Sequence, residues 1–339
     1  MGREKGARSH VRKRRRGCLT GCLTRILLLL GVAALVFVGA CVLGFVKNDP
    51  ETRKPSLTLE NIGIDDGALS TAQGWLEKAK NAVGSLPSIS WAYGVDASGL
   101  TVKTLRAGEG EAVLVCCDGY TMLVGAGTNG LMTAGQLLLC GVNRLNVAVA
   151  CGNEAGQIGG MATAVTLGKP EYLLLQDSQT KNTDYNAMLE AAQKTDRTQI
   201  IAPDAGLTFS LGRATVTVIG PAKTNHTDER DDGLSLRIDY GQTSVLILGT
   251  ITSAGERELI TSGVRLDADA LICARGGSDA ATCLEIVSAV NPAIALLTGR
   301  EPANSVTIRL QRAGAQVVAA KENGVMTLRS DGTTMSVTP

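Results

Sequence analysis

Two histidines and nine cysteines bound the chemistry open to this 339-residue chain. Imidazole and thiolate are the usual zinc ligands and the usual partners of a nucleophile, and here they are few and scattered. His10 lies in a basic N-terminal run. His226 lies in Lys223-Thr224-Asn225-His226-Thr227-Asp228-Glu229-Arg230-Asp231-Asp232, whose carboxylates would suit a hard cation such as Ca²⁺. That loop lacks EF-hand spacing and basic residues interrupt it, so it reads first as a solvated acidic loop. No Cys-x-x-Cys pair indicates a zinc ribbon or thioredoxin-type site, and no Gly-x-Ser-x-Gly elbow serves a Ser-His-Asp triad. Gly108-Glu109-Gly110 and Gly125-Ala126-Gly127 lack both the P-loop Lys and the Gly-x-Gly-x-x-Gly spacing; tight turns between strand and loop are their expected role.

The elements that must carry these residues divide sharply along the chain. The net charge of +1 hides nine basic residues against Glu4 in residues 1–25, so the remainder is acidic. Ile26 to Val46, ILLLLGVAALVFVGACVLGFV, is an unbroken apolar run, long enough at 1.5 Å per residue to span roughly 30 Å of bilayer. The basic flank predicts residues 1–25 as a cytoplasmic tail, residues 26–46 as a single-pass signal anchor and an extracytoplasmic body in the cell membrane. Val38-Gly39-Ala40-Cys41 also matches a lipobox, which would keep the compartment and make the protein a lipoprotein acylated at Cys41; the run continuing past Cys41 weighs against it. Membrane lipid is thus the expected partner of the N-terminal helix. Nucleic acid is disfavoured for the acidic body, because phosphate contacts dominate such affinity. On this topology Cys18 and Cys22 are cytoplasmic, and Cys116, Cys117, Cys140, Cys151, Cys273 and Cys283 face the exterior as small buried apolar residues.

Residues 47–99 read as a stalk punctuated by prolines, with one amphipathic helix over 67–83. From residue 100 onward, short apolar strands alternate with helices. Strands are expected at Thr101–Leu105, Ala112–Cys116, Tyr120–Val124, Leu145–Ala150, Tyr172–Leu175, Thr215–Ile219, Leu234–Tyr240, Ser244–Leu248, Ala270–Cys273, Ala293–Leu297, Gln316–Ala319 and Val325–Arg329, with Asp118-Gly119 as a hairpin turn. Helices are expected at Leu131–Cys140, Ile158–Leu167, Tyr185–Thr195, Ala254–Ser262, Ala280–Val290 and Asn304–Arg312. With aromatics at only 3%, Ala, Val, Leu and Ile must build the core. Two β-rich halves flanked by helices predict sheets packed face to face, with any site in the loops at strand ends.

The order of motifs over residues 100–339 resembles the metallo-β-lactamase fold, and more narrowly the exported metallo-hydrolase domain of ComEC-type competence proteins. Gly108-Glu109-Gly110-Glu111-Ala112 stands where that family has G-Q-G-D-A. Leu123-Val124-Gly125-Ala126-Gly127 stands for L-I-D-A-G. The segments Asp232–Gly241, Ala268–Ser278, Arg309–Ala315 and Asn323–Gly332 follow in family order. The resemblance implies an α/β fold, an αββα four-layer sandwich preceded by one N-terminal transmembrane helix.

It also implies a lost metal site. The family signature T-H-x-H-x-D-H-x-G-G aligns with Cys151-Gly152-Asn153-Glu154-Ala155-Gly156-Gln157-Ile158-Gly159-Gly160. Gly152, Glu154, Gly156 and Gln157 therefore occupy the places of His, His, Asp and His. Thr250 replaces the bridging aspartate, Arg275 and Gly276 replace a His pair, and the terminal histidine has no counterpart near Glu301–Asn304. The family uses zinc; with these ligands absent no metal cofactor and no catalytic residue is expected here. Glycine offers no side chain, and arginine is a permanent cation without a lone pair. If the alignment holds, Cys151 and Cys273 both border the former pocket, as a disulfide or, by default, as two isolated thiols. The implied function is an inactive binding or scaffolding module, with an anionic small ligand drawn by Arg275 or an envelope protein as partner. The alternatives are a divergent phosphodiesterase- or nuclease-like hydrolase using Glu154 and Asp239 or the Asp228–Asp232 loop, and a structural accessory of envelope or DNA-uptake machinery.

Overall fold

The computed structural model describes residues 98–176, 182–299, 301–320 and 324–338. All described residues belong to one compact unit. The expected tail, anchor, Cys41 lipobox, stalk and 67–83 helix lie outside the described residues. Among the described residues, no helix is long and apolar enough to cross a membrane.

In chain order the elements are β1 (Leu100–Thr104), β2 (Val113–Cys117), β3 (Tyr120–Val124), α1 (Gly130–Leu139), β4 (Val147–Ala150), α2 (Ala155–Ile158), α3 (Met161–Gly168), β5 (Tyr172–Leu175), α4 (Thr183–Gln193) and β6 (Gln199–Ile201). Then come β7 (Thr208–Leu211), β8 (Ala214–Gly220), β9 (Ser235–Tyr240), β10 (Thr243–Ile247), α5 (Ser253–Ser262), β11 (Ala270–Ile272), α6 (Leu284–Val290), β12 (Ile294–Leu297), α7 (Asn304–Arg312), β13 (Gln316–Ala319), β14 (Thr327–Ser330) and β15 (Met335–Thr338). Short 3-10 turns occupy Glu229–Asp232 and Ala274–Gly276. One sheet has the order β15-β14-β1-β2-β3-β4-β5-β6 and the other β13-β12-β11-β10-β9-β8-β7.

Side-chain alternation along the strands produces three apolar layers. Val147 and Val149 of β4 meet Ala270 and Ile272 of β11 in the core between the sheets. The alternate residues face outward: Ala148 and Ala150 pack under the first helix layer with Ile158, Met161 and Met188, and Leu271 packs under the second with Leu259, Ile286 and Leu310. A strand covered on both faces reads as a continuous apolar run, which is why these strands are visible in sequence. The architecture is a mixed α/β two-sheet sandwich with helices outside each sheet.

Several expected elements differ in detail. The helix expected over Ile158–Leu167 is two helices, α2 and α3, because the Gly160 N–H leaves the helical ladder to donate to the Gly127 carbonyl at 3.0 Å. The helix expected from Ala280 begins at Leu284, because the N–H groups of Thr282 and Cys283 donate instead to the buried Glu256 carboxylate. The sequence reading misses β6, β7 and β15. Each is a short outer strand with exposed positions, so none carries the apolar signature of a covered strand.

Candidate binding pocket

Strands β3 and β4 run parallel in one sheet, and β10, β11 and β12 run parallel in the other. Their C-terminal ends deliver the loops that line a cavity of about 600 Å³, within the usual range for a small-molecule site. Its wall includes Glu111, Glu154, Gly156, Gln157, Thr250, Arg275 and Gly276, with Asp279 and Glu301 also present. Six of the seven positions expected at the former metal site thus share one cavity. The seventh, Gly152, packs against one of them: a Cβ there would sit 2.7 Å from Thr250 Cγ2.

The loop after β4 is hydrogen-bonded to the β8–β9 loop, and that loop to the β10–α5 loop. Leu234 N–H donates to the Cys151 carbonyl at 2.7 Å, Asn153 Nδ2 donates to Glu229 Oε2 at 2.7 Å, and Thr250 Oγ1 donates to the Arg230 carbonyl at 3.1 Å. Glu154 stands at the N-cap of α2 without capping it. Its carboxylate turns instead to Arg275, whose Nη1 donates to Oε2 at 3.0 Å and to Oε1 at 3.3 Å.

Glu111 is the residue at this site that the sequence reading did not single out. It is only 3% exposed, accepts from Gln157 Nε2 at 3.0 Å and from Thr298 Oγ1 at 3.4 Å, and lines the cavity. Burial pushes its carboxyl up to about 7 against those hydrogen bonds, since desolvation disfavours the charged form. A signal was present: an acid between Gly110 and the apolar Ala112-Val113. Gly110 itself answers the phosphate-loop question. Its φ is +91°, and an added Cβ would collide with the Gly156 carbonyl at 2.0 Å, so it permits close backbone approach and the Glu111 N–H to Gly156 O bond of 2.9 Å.

Zinc requires three or four nitrogen, sulfur or carboxylate donors, and the residues present do not fit it. Gly152, Gly156 and Gly276 offer no side chain. The Thr250 hydroxyl, the Gln157 amide nitrogen and the Glu154 carboxylate are engaged as described. Among the described residues, no group of three or more His, Cys, Asp or Glu is placed to hold a metal ion.

The two cysteines for which a disulfide is the alternative to isolated thiols lie in different layers. Both are free and buried. Cys151 follows β4 in phase with Val149 and faces the core between the sheets, whereas Cys273 follows β11 in phase with Leu271 and faces the outer helices. The disulfide is therefore not formed: strand alternation sends the two thiols into different layers.

The carboxylates of the alternative hydrolase do not converge either. Asp239 accepts from Arg237 Nη2 at 2.8 Å and lies five residues along from Leu234, roughly 15 Å at strand rise. Asp228 binds Arg230, Asp231 accepts from the Thr252 N–H at 2.7 Å, and Asp232 accepts from His226. His226 is clamped rather than solvated, with Nδ1 at 2.7 Å from Asp232 and Nε2 at 2.9 Å from Glu258.

Searches against protein-family models and against curated proteins return no match. Among solved structures, the chain is similar to the metallo-β-lactamase fold protein YhfI from Bacillus subtilis, with 16% identity, TM-score 0.45, and coverage of 66% of this chain and 98% of that one. It is similar to Igni18, a metallo hydrolase from Ignicoccus hospitalis, with 15% identity, TM-score 0.45 and coverage of 67% and 98%. It is also similar to CmlA, a diiron β-hydroxylase from Streptomyces venezuelae, with 15% identity and TM-score 0.44; the match covers 69% of this chain and 54% of that one, so it spans about half of CmlA. At these values the likeness is one of general architecture, and the assignment of layers rests on the sheet order and the three cores.

Proposed function

We propose that this protein is a degenerate metallo-β-lactamase-fold module: a domain over 100–339, anchored by residues 26–46 on the extracytoplasmic side of the cell membrane, whose pocket binds or scaffolds and performs no metal-dependent hydrolysis. The observation that carries the reading is the Arg275–Glu154 ion pair. In the family resemblance both positions belong to metal-binding histidines, and here a guanidinium and a carboxylate neutralise each other in the same cavity. A second cation beside Arg275 would be repelled, and the one carboxylate nearest it is already engaged. The acidic body and basic N-terminal segment support membrane attachment over nucleic-acid contact, with an envelope protein as the macromolecular partner.

Calorimetric titration of the full-length chain with zinc chloride and with manganese chloride tests this. The expected result is no saturable site. A one-to-one isotherm removed by chelator would restore the divergent hydrolase.

A further inference from the structure

The guanidinium of Arg275 is only partly used. Nη1 serves both oxygens of Glu154, while Nε is buried without a hydrogen-bond partner among the described residues, and Nη2 donates to none of them. Nε–H and Nη2–H form the side-on edge of a guanidinium, a planar pair of parallel donors matched to two oxygens of a carboxylate or phosphate. The same edge is filled in Arg213, where Nε and Nη2 grip Asp118 at 2.8 Å each. In Arg275 it is empty, beside a cavity large enough for a small molecule. A buried donor without an acceptor carries a desolvation penalty of about 1–3 kcal/mol, which a ligand oxygen would relieve.

The backbone holds this side chain in place at some cost. Arg275 has φ 52° and ψ 32°, and Gly276 and Gly277 follow at φ 65° and 91°. A left-handed conformation costs a non-glycine residue about 1–2 kcal/mol, and such strain collects at functional positions. The turn is pinned on both sides: Arg275 N–H donates to the Gly249 carbonyl at 2.8 Å, and Gly299 N–H donates to the Gly276 carbonyl at 2.9 Å. The arginine is thus fixed between the loops after β10 and β12 before any ligand arrives, which lowers the ordering cost of binding.

We propose that the cavity receives a small oxyanion, a carboxylate or phosphate group, seated side-on against Nε and Nη2 of Arg275. The proposal rests on the reading of this pocket as a metal-free binding site. Arg275 is the one cationic side chain lining the cavity among the described residues. Of the carboxyl groups that share the wall, Glu154 is neutralised by Nη1, and Glu111 is buried, with both oxygens accepting from Gln157 and Thr298. Asp279 and Glu301 are exposed at the rim, where solvent screens their charge. The Ser278 hydroxyl, also in the wall, adds a neutral donor.

The test is calorimetric titration of the full-length chain with inorganic phosphate and, separately, with succinate, at mildly acidic pH and constant ionic strength, with chloride as control. A saturable isotherm for at least one anion is expected, and which one responds identifies the group. Arg275→Lys keeps the charge but not the fork and should weaken binding about tenfold or more. Glu154→Gln releases Nη1 and should bind at least as tightly as the unmodified chain. Thermal melts establish that each variant is folded. Silence toward both anions, or an Arg275→Lys protein that binds as tightly as the unmodified chain, would overturn the proposal. Zinc titration of the same sample keeps the two readings apart: a saturable zinc isotherm defeats the metal-free pocket, whereas silence toward both zinc and anions defeats only the oxyanion.

Discussion

Arg275 Nη1 lies 3.0 Å from Glu154 Oε2, joining two residues 121 positions apart in sequence and two different sheets of the sandwich. Arg275 is about four-fifths buried and Glu154 about two-fifths exposed, with side-chain exposures of 19% and 41%. The pair is therefore only partly screened, and a double-mutant cycle of Arg275→Gln and Glu154→Gln should return a coupling of about 1 kcal/mol by urea unfolding. A coupling indistinguishable from zero would mean that the pair does not persist in solution.

Glu111 makes stability depend on pH. Its carboxyl is raised in the folded state from 4.5 to about 7, so the folded chain holds a proton that the unfolded chain releases. The stabilisation is fully present below about pH 4.5 and is lost as pH rises through about 7. At about 1.4 kcal/mol per unit the loss is on the order of 3 kcal/mol. The difference in unfolding free energy between the unmodified chain and Glu111→Gln, measured from pH 4 upward, should move in favour of the variant across that window. A flat difference would show that Glu111 ionises normally.

His226 should titrate above its ordinary value. Burial opposes its charge, but the hydrogen bonds to Asp232 and Glu258 and the charges of those carboxylates outweigh it. The loop is therefore held below the unfolded value of about 6.5, and that support is lost as pH rises through the higher folded value. An NMR titration of the imidazole should show the upward shift, and Asp232→Asn should reduce it. An unshifted resonance would return this residue to a solvated loop.

Glu256 is fully buried and accepts the N–H groups of Thr282 and Cys283 at 2.5 and 2.7 Å. Glu256→Ala removes both acceptors at the start of α6 and should cost about 2–4 kcal/mol of stability. A loss below about 0.5 kcal/mol, the range of neutral surface changes, would mean that α6 starts elsewhere in solution.

Cys151 and Cys273 should both be recovered as free thiols by non-reducing mass spectrometry, and both should resist alkylation until the chain unfolds. Burial pushes each thiol well above the ordinary range, which suppresses the reactive thiolate. A cross-linked peptide containing both would contradict their placement in separate layers.

The parts of the fold most readable in sequence are those whose apolar pattern has one physical explanation. β3, β5, β13 and α7 fall on the expected residues: β3 and β5 are short apolar runs buried at most positions, and α7 has a strongly amphipathic pattern, while β13 is an edge strand whose agreement has no such covering to explain it. The exposed outer strands β6, β7 and β15 have no such pattern. The assembly of Glu154, Gly156, Gln157, Thr250, Arg275 and Gly276 around one cavity follows from the ordered family resemblance, but the contact between Glu154 and Arg275 does not, because no local rule relates residues so distant. Glu111 was legible only as a motif letter, since its importance comes from burial. Cys151 and Cys273 are the two isolated buried thiols expected by default; phase along each strand pairs Cys151 with Val149 and Cys273 with Leu271, but which phase faces the core is set by the packing of the sheets and is not written in the sequence.

The most direct test of the central claim, that the pocket has exchanged metal chemistry for an internal ion pair, is elemental analysis of the full-length protein purified without chelator. The account predicts zinc, manganese, iron and calcium all far below one equivalent per chain. One equivalent of zinc that survives dialysis would contradict it.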